Sequence, residues 1–542
     1  MFESVKDKVR ASTGGQIPFE SSIGSLKTKF NLFLESKRMS ADILFMMTYM
    51  TSMAISNATR PEIFSYAANR QEYISAKYIK KVDTYVKKWS FSYAESLSIV
   101  AEKVNDTTLQ NMLMRYSNGI ESNIPDDEFL SQELNTIRSV YRSQYEQGCE
   151  LIKKWGDAYV AMLLSGTVIA VTIMISIAIY SPTGMETTLN MSYGIILVIC
   201  VFANILMFQS CPSDPKTHGL SERSSKEQAT IAAMERIMIP ITILIALLLL
   251  ALGVSVGLIF MLVGILLAPM GIIGFIDDNN ITLRDNDFAT FIRSFGSTMG
   301  GQSATAVHAL GAIDRKAFIA LEPLLNSVYS KMNLGLDVRQ TWDRFIGESG
   351  SNLINMYLNI YLDTVQLGGP PEALGKTVGA SMLEMVLLRE KKDMISRGFL
   401  FLLIPMHAVM AGIFVALYRI MVVLTGSVSS MMTHFQEVNA AAGASGAAGT
   451  GVTASGALGG SMGMFTNFPE KEMGIYVAIM LTIITISDIM AAKILGGGDR
   501  YMYYFYGAIF CILTGLVMIV APIGVGIFFN PEALNAMATG GS

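Results

Sequence analysis

Three sets of residues have types that could do chemistry, and each fails on spacing. Gly369-Pro-Pro-Glu-Ala-Leu-Gly375-Lys376-Thr377 has the ingredients of a phosphate-binding loop. That loop needs four residues between its glycines, so that consecutive backbone N–H groups wrap a phosphate. Here five intervene, and two are prolines, which have no N–H to give. The run before it, Leu358 to Leu367, is patterned as helix rather than strand, so an inter-helix turn is expected. The four histidines (His218, His308, His407, His434) fall one to a region, with no His-Glu-x-x-His. The four cysteines (Cys149, Cys200, Cys211, Cys511) show no CxxC spacing. Neither set suggests a metal site or a disulfide framework, and no cofactor is expected.

Gly496-Gly497-Gly498-Asp499 fits the Gly-x-Gly-Asp pattern of intramembrane aspartyl proteases. That chemistry requires two carboxylates close enough to share a proton. The nearest candidate, Asp488, is eleven residues upstream on a helix. A continuous helix would separate the two by about 16 Å. A glycine turn between two spans is therefore expected. His407 and Asp488 are of a different kind, because both fall inside apolar spans, where ionisable groups are rare and usually paired or functional. They are the candidate intramembrane polar pair. A hydrogen-bonded structural pair is favoured over a proton-coupling role.

The elements that would position these groups are membrane spans. The 542 residues are 51% hydrophobic and 15% charged, with mean hydropathy +0.43. Soluble domains carry about 25% charged residues. A net charge of -4 gives no reason to expect nucleic-acid binding. A spanning helix needs about 20 apolar residues. Ala158–Tyr180, Met191–Phe208, Gly398–Leu424, Gly474–Ala492 and Tyr503–Phe529 qualify. Ile237–Ile276 has no charge and is long enough for two helices, with Gly253, Gly257 and Gly264 where a hairpin could turn. Ile43–Thr59 is short, and its apolar residues fall at one-sided helical spacing, which predicts a soluble amphipathic helix.

Seven spans put the termini on opposite sides. Residues 1–157 carry twenty Lys and Arg and residues 277–397 carry twelve. The segments assigned to the opposite side hold only Lys471, and Arg419 sits near the outer end of span five, where it can snorkel. The positive-inside rule then predicts a cytoplasmic N-terminus and an external C-terminus. The N-terminus shows no signal-peptide pattern. The expected organisation is an N-terminal cytoplasmic region 1–157, its helical bundle from about residue 40, and spans 1–2 within 158–208. A cytoplasmic loop 209–236, a hairpin of spans 3–4 at 237–276 and a second cytoplasmic bundle 277–397 come next. Span 5 at 398–424, an external Gly/Ala-rich loop 425–473, spans 6–7 within 474–529 and an external tail 530–542 complete it. The fold class is all-α: about seven transmembrane helices with two repeated cytoplasmic helical bundles.

The repeat shows at an offset of about 245 residues. Asp42-Ile43-Leu44 and Asp287-Phe288-Ala289 each head an apolar helix. Leu109-Gln110-Asn111-Met112 is matched with Leu353-Ile354-Asn355-Met356, and Pro125 with Pro370. Each copy runs into a basic cluster (Lys153-Lys154; Lys391-Lys392) and a span. Two separate bundles, each on its own spans, are expected.

The stretch Asp287 to Leu310, and Leu353 to Leu374 with Gly-Gly-Pro-Pro-Glu-Ala-Leu, resemble the type II secretion system F-domain family. That family contains the platform proteins of type IV pili, type II secretion and archaella. The long N-terminal region and the extra hydrophobic hairpins are most similar to its archaellum platforms. The first copy departs most, with Ile55-Ser56-Asn57 in place of Gly300-Gly301-Gln302. The resemblance implies a non-enzymatic platform for an archaellum or related pilus-like filament. It would couple a hexameric cytoplasmic secretion ATPase to extraction and insertion of pilin-like or archaellin subunits. A homo-oligomer is compatible with it. A secondary transporter is the rival class, with an intramembrane aspartyl protease behind it. Arg315, Lys316, Arg389, Lys391 and Lys392 are candidate ATPase-docking residues, since charge sets encounter and register between partners. Membrane anchoring on anionic lipid is the alternative for Arg389–Arg397, as on any basic flank of a span.

Overall fold

Asp42 and Asp287 show how the chain builds its two copies. Asp42 accepts hydrogen bonds from the backbone N–H groups of Ile74 (2.8 Å) and Ser75 (2.7 Å), and Asp287 accepts one from Ala320 (2.8 Å). Ser75 and Ala320 are the same 245 residues apart as the two aspartates. In a computed structural model describing residues 18–180, 185–220, 224–301, 305–444 and 468–528, a run of five helices repeats at about this spacing.

The first copy comprises α1 (Pro18–Ile55), α2 (Arg60–Ala68), α3 (Ala76–Trp89), α4 (Tyr93–Ala101), α5 (Thr107–Glu121) and α6 (Asp126–Tyr180). Then come α7 (Met185–Ser210) and α8 (Lys226–Ala251). The second copy comprises α9 (Val256–Gly301), α10 (Ala306–Ala312), α11 (Glu322–Asn333), α12 (Val338–Ser349), α13 (Asn352–Gln366) and α14 (Pro371–Ala444). Helices α15 (Glu470–Gly496) and α16 (Met502–Phe528) end the described chain. The starts of α2 to α6 and α10 to α14 differ by 246, 246, 245, 245 and 245 residues. The caps repeat as well: Asp106 accepts from Leu109 N and Ser351 from Ile354 N. Leu109 therefore corresponds to Ile354, one residue on from the match with Leu353. Identity alone cannot choose a register within an apolar pair such as Leu353-Ile354; the cap can.

The chain divides into two compact units. One holds residues up to Gln147, Pro212–Ser224 and Asn280–Arg389. Both helical copies thus share a single unit rather than forming separate bundles. Phe45 meets Tyr357 at 5.2 Å, and Thr48 donates to Ser381 Oγ at 3.0 Å. Arg138 donates to Ser381 Oγ (2.7 Å) and to Thr377 O (2.9 Å), while Arg142 forms an ion pair with Glu384. This seam explains α1. Its residues from Ala41 to Ala54 are buried all round, not on one side, because α1 packs against both its own copy and the second.

The other unit holds Gly148–Cys211, Ser225–Asn279 and the residues from Glu390 on. Among the described residues, seven helices are long and apolar enough to cross a membrane: α6, α7, α8, α9, α14, α15 and α16. The chain is an all-α, multi-pass membrane protein. The turn between α8 and α9 uses Gly253, whose φ of 72° favours glycine. Gly257 and Gly264 do not turn the chain. With Gly271 they form a seven-residue stripe that lets α9 approach α16. A Cβ on Gly264 would lie 2.8 Å from Ile512 N, and one on Gly271 2.6 Å from Phe505 Cα. Small residues serve this purpose in membranes, where close backbone packing replaces a hydrophobic driving force. Helix α8 packs least, with 6% of its apolar window buried against 28–56% in the other six.

Helix α14 continues past the expected end of span five at Leu424 to Ala444. The remaining Gly/Ala-rich segment 445–467, the first seventeen residues, segments 181–184, 221–223 and 302–304, and the tail from 529 lie outside the described residues.

Candidate functional site

Asp488 is the centre of a polar layer inside the spanning unit. It lies on α15 with Thr485 and Ser487, within one helical turn. Its Oδ2 is 2.6 Å from His407 Nδ1 on α14, and its Oδ1 accepts from Tyr159 on α6 at 2.7 Å. His407 Nε2 lies 2.8 Å from Thr514 Oγ1 on α16, which is 2.9 Å from Thr485 Oγ1. On the other side, Tyr159 and Ser487 hydroxyls are 2.8 Å apart, and Asn204 of α7 donates to Ser487 Oγ at 2.8 Å. Five helices meet there. His407, Asp488, Tyr159 and Thr514 are all 0% exposed.

Counting donors fixes the direction of the chain. The Asn204 amide donates to Ser487, Ser487 to Tyr159, and Tyr159 to Asp488. Asp488 is an acceptor at both oxygens when His407 Nδ1 carries a proton. The pair has no net charge when the imidazole carries a proton on both ring nitrogens beside the carboxylate, and a neutral pair avoids the high cost of an isolated buried ion. Thr514 serves either state of the imidazole. Its hydroxyl donates to a bare Nε2, or accepts from Nε2–H while donating to Phe510 O (2.8 Å). Because Thr485, Ser487 and Asp488 share one turn of α15, the layer runs laterally between helices. It binds the spans to one another and offers no path along them.

The decoy motifs resolve into packing. Pro371 begins α14, so Glu372 to Thr377 are helical, and Lys376 pairs with Glu372 one turn away at 3.0 Å. A Cβ on Gly375 would lie 2.8 Å from Ile292 O, so that glycine admits a neighbouring helix. Asp499 caps its own turn by accepting from Arg500 N at 2.7 Å, after Gly497 and Gly498 leave α15 with φ of 68° and 69°. Among the described residues, no three His, Cys, Asp or Glu side chains are grouped to hold a metal.

Several proposed docking charges are not on a surface. Arg389 is buried in ion pairs with Asp214 and Asp285 (2.8 Å), so it cannot be a docking handle. Lys392 is also buried. Arg315 donates to Leu310 O at the end of α10 (2.5 Å) and to Asn326 (2.8 Å), and lies over the Tyr329 ring. Arg315 is half-buried, with these contacts inside its own copy. Lys316 and Lys391 are exposed. Sequence reasoning missed Tyr159, Asn204, Ser487 and Thr514 in the layer, and Asp214 and Asp285 around Arg389. Asn204 alone carried a signal, as an amide within an apolar run.

The chain is 22% identical over 364 residues to the flagella accessory protein J of Methanocaldococcus jannaschii, covering 64% of this chain and 63% of that protein. It is 21% identical over 365 residues to the flagella accessory protein J of Methanococcus voltae, covering 65% and 64%. The chain is similar to these flagella accessory J proteins. It spans a little under two thirds of the length of each. No family profile matches it, and no solved structure does.

Proposed function

We propose that the chain is a non-enzymatic membrane platform for assembly of an archaellum or related pilus-like filament. The similarity to two flagella accessory proteins over nearly two thirds of the chain carries this reading. The duplicated helical unit joined to seven apolar helices supports it, since the layout suits a part that receives movement on one side and acts on membrane helices on the other. In this reading the helical unit is cytoplasmic and receives a secretion ATPase. The spans contact filament subunits as these are drawn from the bilayer. The N-terminus is cytoplasmic and the C-terminus external, as the distribution of Lys and Arg favours. Lys316 and Lys391 are the exposed charges retained as docking positions.

Gene deletion in the native host tests the reading. Cells without the chain should process filament subunits normally yet display no filaments, and the intact gene should restore them. Normal filaments in the deletion strain would exclude the platform role. Uptake of a solute lost in the same strain would favour the transporter instead.

A further inference from the structure

The connection between α7 and α8 is held by a different chemistry from the rest of the helical unit. Residues 212–220 bury no large apolar side chain. Asp214 accepts from Nε and Nη2 on one edge of the Arg389 guanidinium, and Pro215 O accepts from the same Nη2 at 3.1 Å. Thr217 forms a single antiparallel bridge with Ser351. Beside it, Asn352 N donates to Lys216 O (3.0 Å) and His218 N to Gly350 O (3.3 Å). On its other side, Arg389 donates to Asp285 at 2.8 Å, and Asp285 also accepts from Ser351 Oγ. The side chains of Asp214, Asp285 and Arg389 are 4%, 3% and 11% exposed.

The repeat supplies an internal control. At the 245-residue separation, Asp285 and Arg389 correspond to Ser40 and Gln144. There Ser40 donates to Gln144 Oε1 at 2.9 Å, and Gln144 donates to Thr108 Oγ1 at 3.2 Å. The first copy has neutral Ser40 and Gln144 in place of the Asp285–Arg389 pair and leaves Gln144 exposed. The helical fold therefore does not need a buried arginine here. Buried ion pairs add little net stability but fix specific arrangements. The second copy has the charges where it has the loop.

We propose that residues 212–220 are a releasable clasp on the second helical copy, with Arg389 as its latch. The loop itself brings no large apolar side chain to the junction, so opening forfeits little hydrophobic stabilisation from its own residues. Arg389 keeps Asp285 when Asp214 leaves, so the open state holds no unpaired buried charge. The two states therefore differ only in polar contacts, as a reversible element requires. The loop follows α7, Asp285 lies on α9, and Arg389 on α14. Closing the clasp ties the loop and these two helices to one guanidinium, and opening releases the loop.

Amide hydrogen exchange on the full-length protein in lipid nanodiscs tests this. Segments 212–220 and 349–353 should exchange together, faster than the α13 core. Asp214→Asn should speed both at least tenfold and leave α2 to α5 unchanged, while Asp214→Glu should stay within about threefold of wild type. Residues paired across an antiparallel bridge have Cα atoms about 4.5–5.5 Å apart, within disulfide range. Thr217→Cys with Ser351→Cys should therefore crosslink on oxidation and return the Asp214→Asn exchange to the slow rate. If 212–220 exchanges as slowly as α13 and Asp214→Asn changes nothing, the loop is a permanent strap. If Asp214→Asn speeds exchange throughout the unit, Arg389 is a structural prop and no latch. Neither readout depends on filament assembly, so each stands or falls apart from the platform reading.

Discussion

Replacing His407 with Ala should be far more damaging than replacing Asp488 with Asn, although the two residues form one pair. His407→Ala removes one of the two donors to the Asp488 carboxylate at a site with no solvent access, while Thr514 keeps Thr485 and Phe510 O. Breaking a buried pair from one side costs about 3–5 kcal/mol, because an uncompensated group is left behind. In Asp488→Asn the new Oδ1 still accepts from Tyr159 and the new Nδ2 donates to His407 Nδ1, once the imidazole proton moves to Nε2. Thr514 Oγ1 accepts that proton and turns its own to Phe510 O, so every group keeps a partner. The cost should be about 1 kcal/mol, that of one neutral hydrogen bond exchanged for another. With Asp488 already neutral, His407→Ala should cost less. The double variant should thus fall below the sum of the singles by about 2 kcal/mol, the coupling expected of residues in one network. Reversible SDS unfolding in mixed micelles measures all four corners of the cycle. Equal single effects that add in the double variant would refute the shared-proton account of the pair.

Three further expectations follow from other contacts. Burial holds the His218 imidazole below its ordinary value of 6.5, so it is neutral in place, with Nε2–H donating to Gly347 O (3.1 Å) and Nδ1 accepting from Leu220 N–H (3.3 Å). A depressed value contributes stability that is present above pH 6.5 and lost as pH falls below it. Exchange of 212–220, corrected for intrinsic rate, should be flat from pH 8 to 7 and change below 6.5, and His218→Gln should lessen that change, leaving the part due to Asp285, whose carboxyl burial pushes up to about 6; a flat wild-type profile would count against it. Gly271→Val should cost about 1–3 kcal/mol by forcing α9 off α16, whereas Gly412→Val, with open space around its Cβ, should be near neutral in the same SDS titration. A reporter active only outside the membrane should work when fused at Gly449 and be silent at Ser349, and activity at Ser349 would invert the proposed orientation.

What the sequence made legible was whatever has a period or a length. The six apolar runs, one of them long enough for two spans, sit in seven of the described helices because a span needs only enough consecutive apolar residues, and no partner has to be named. The repeat was legible from Asp42 and Asp287, whose carboxylates cap equivalent turns. His407 and Asp488 stood out because an ionisable group in an apolar run has nowhere to go except to another. The layer around them was not legible. Tyr159, Ser487 and Thr514 are residue types that spans tolerate singly, and only the packing of five helices shows that their hydroxyls converge.

The charged residues misled for the opposite reason. A lysine or arginine in a helical segment is normally a solvated surface group, and Arg389 and Lys392 carried that expectation into a buried setting. Nothing near Arg389 in sequence announces Asp214, 175 residues away. Comparing the copies could have raised the question. The first copy has Gln144 where the second has Arg389, so one duplicate manages this junction without charge. A duplicated fold sets its own baseline: what both copies share, such as the capping aspartates, is needed to fold. What only one copy has at an equivalent position is added for something else, and the loop bound to Arg389 is the only large structural addition at that place in the second copy among the described residues.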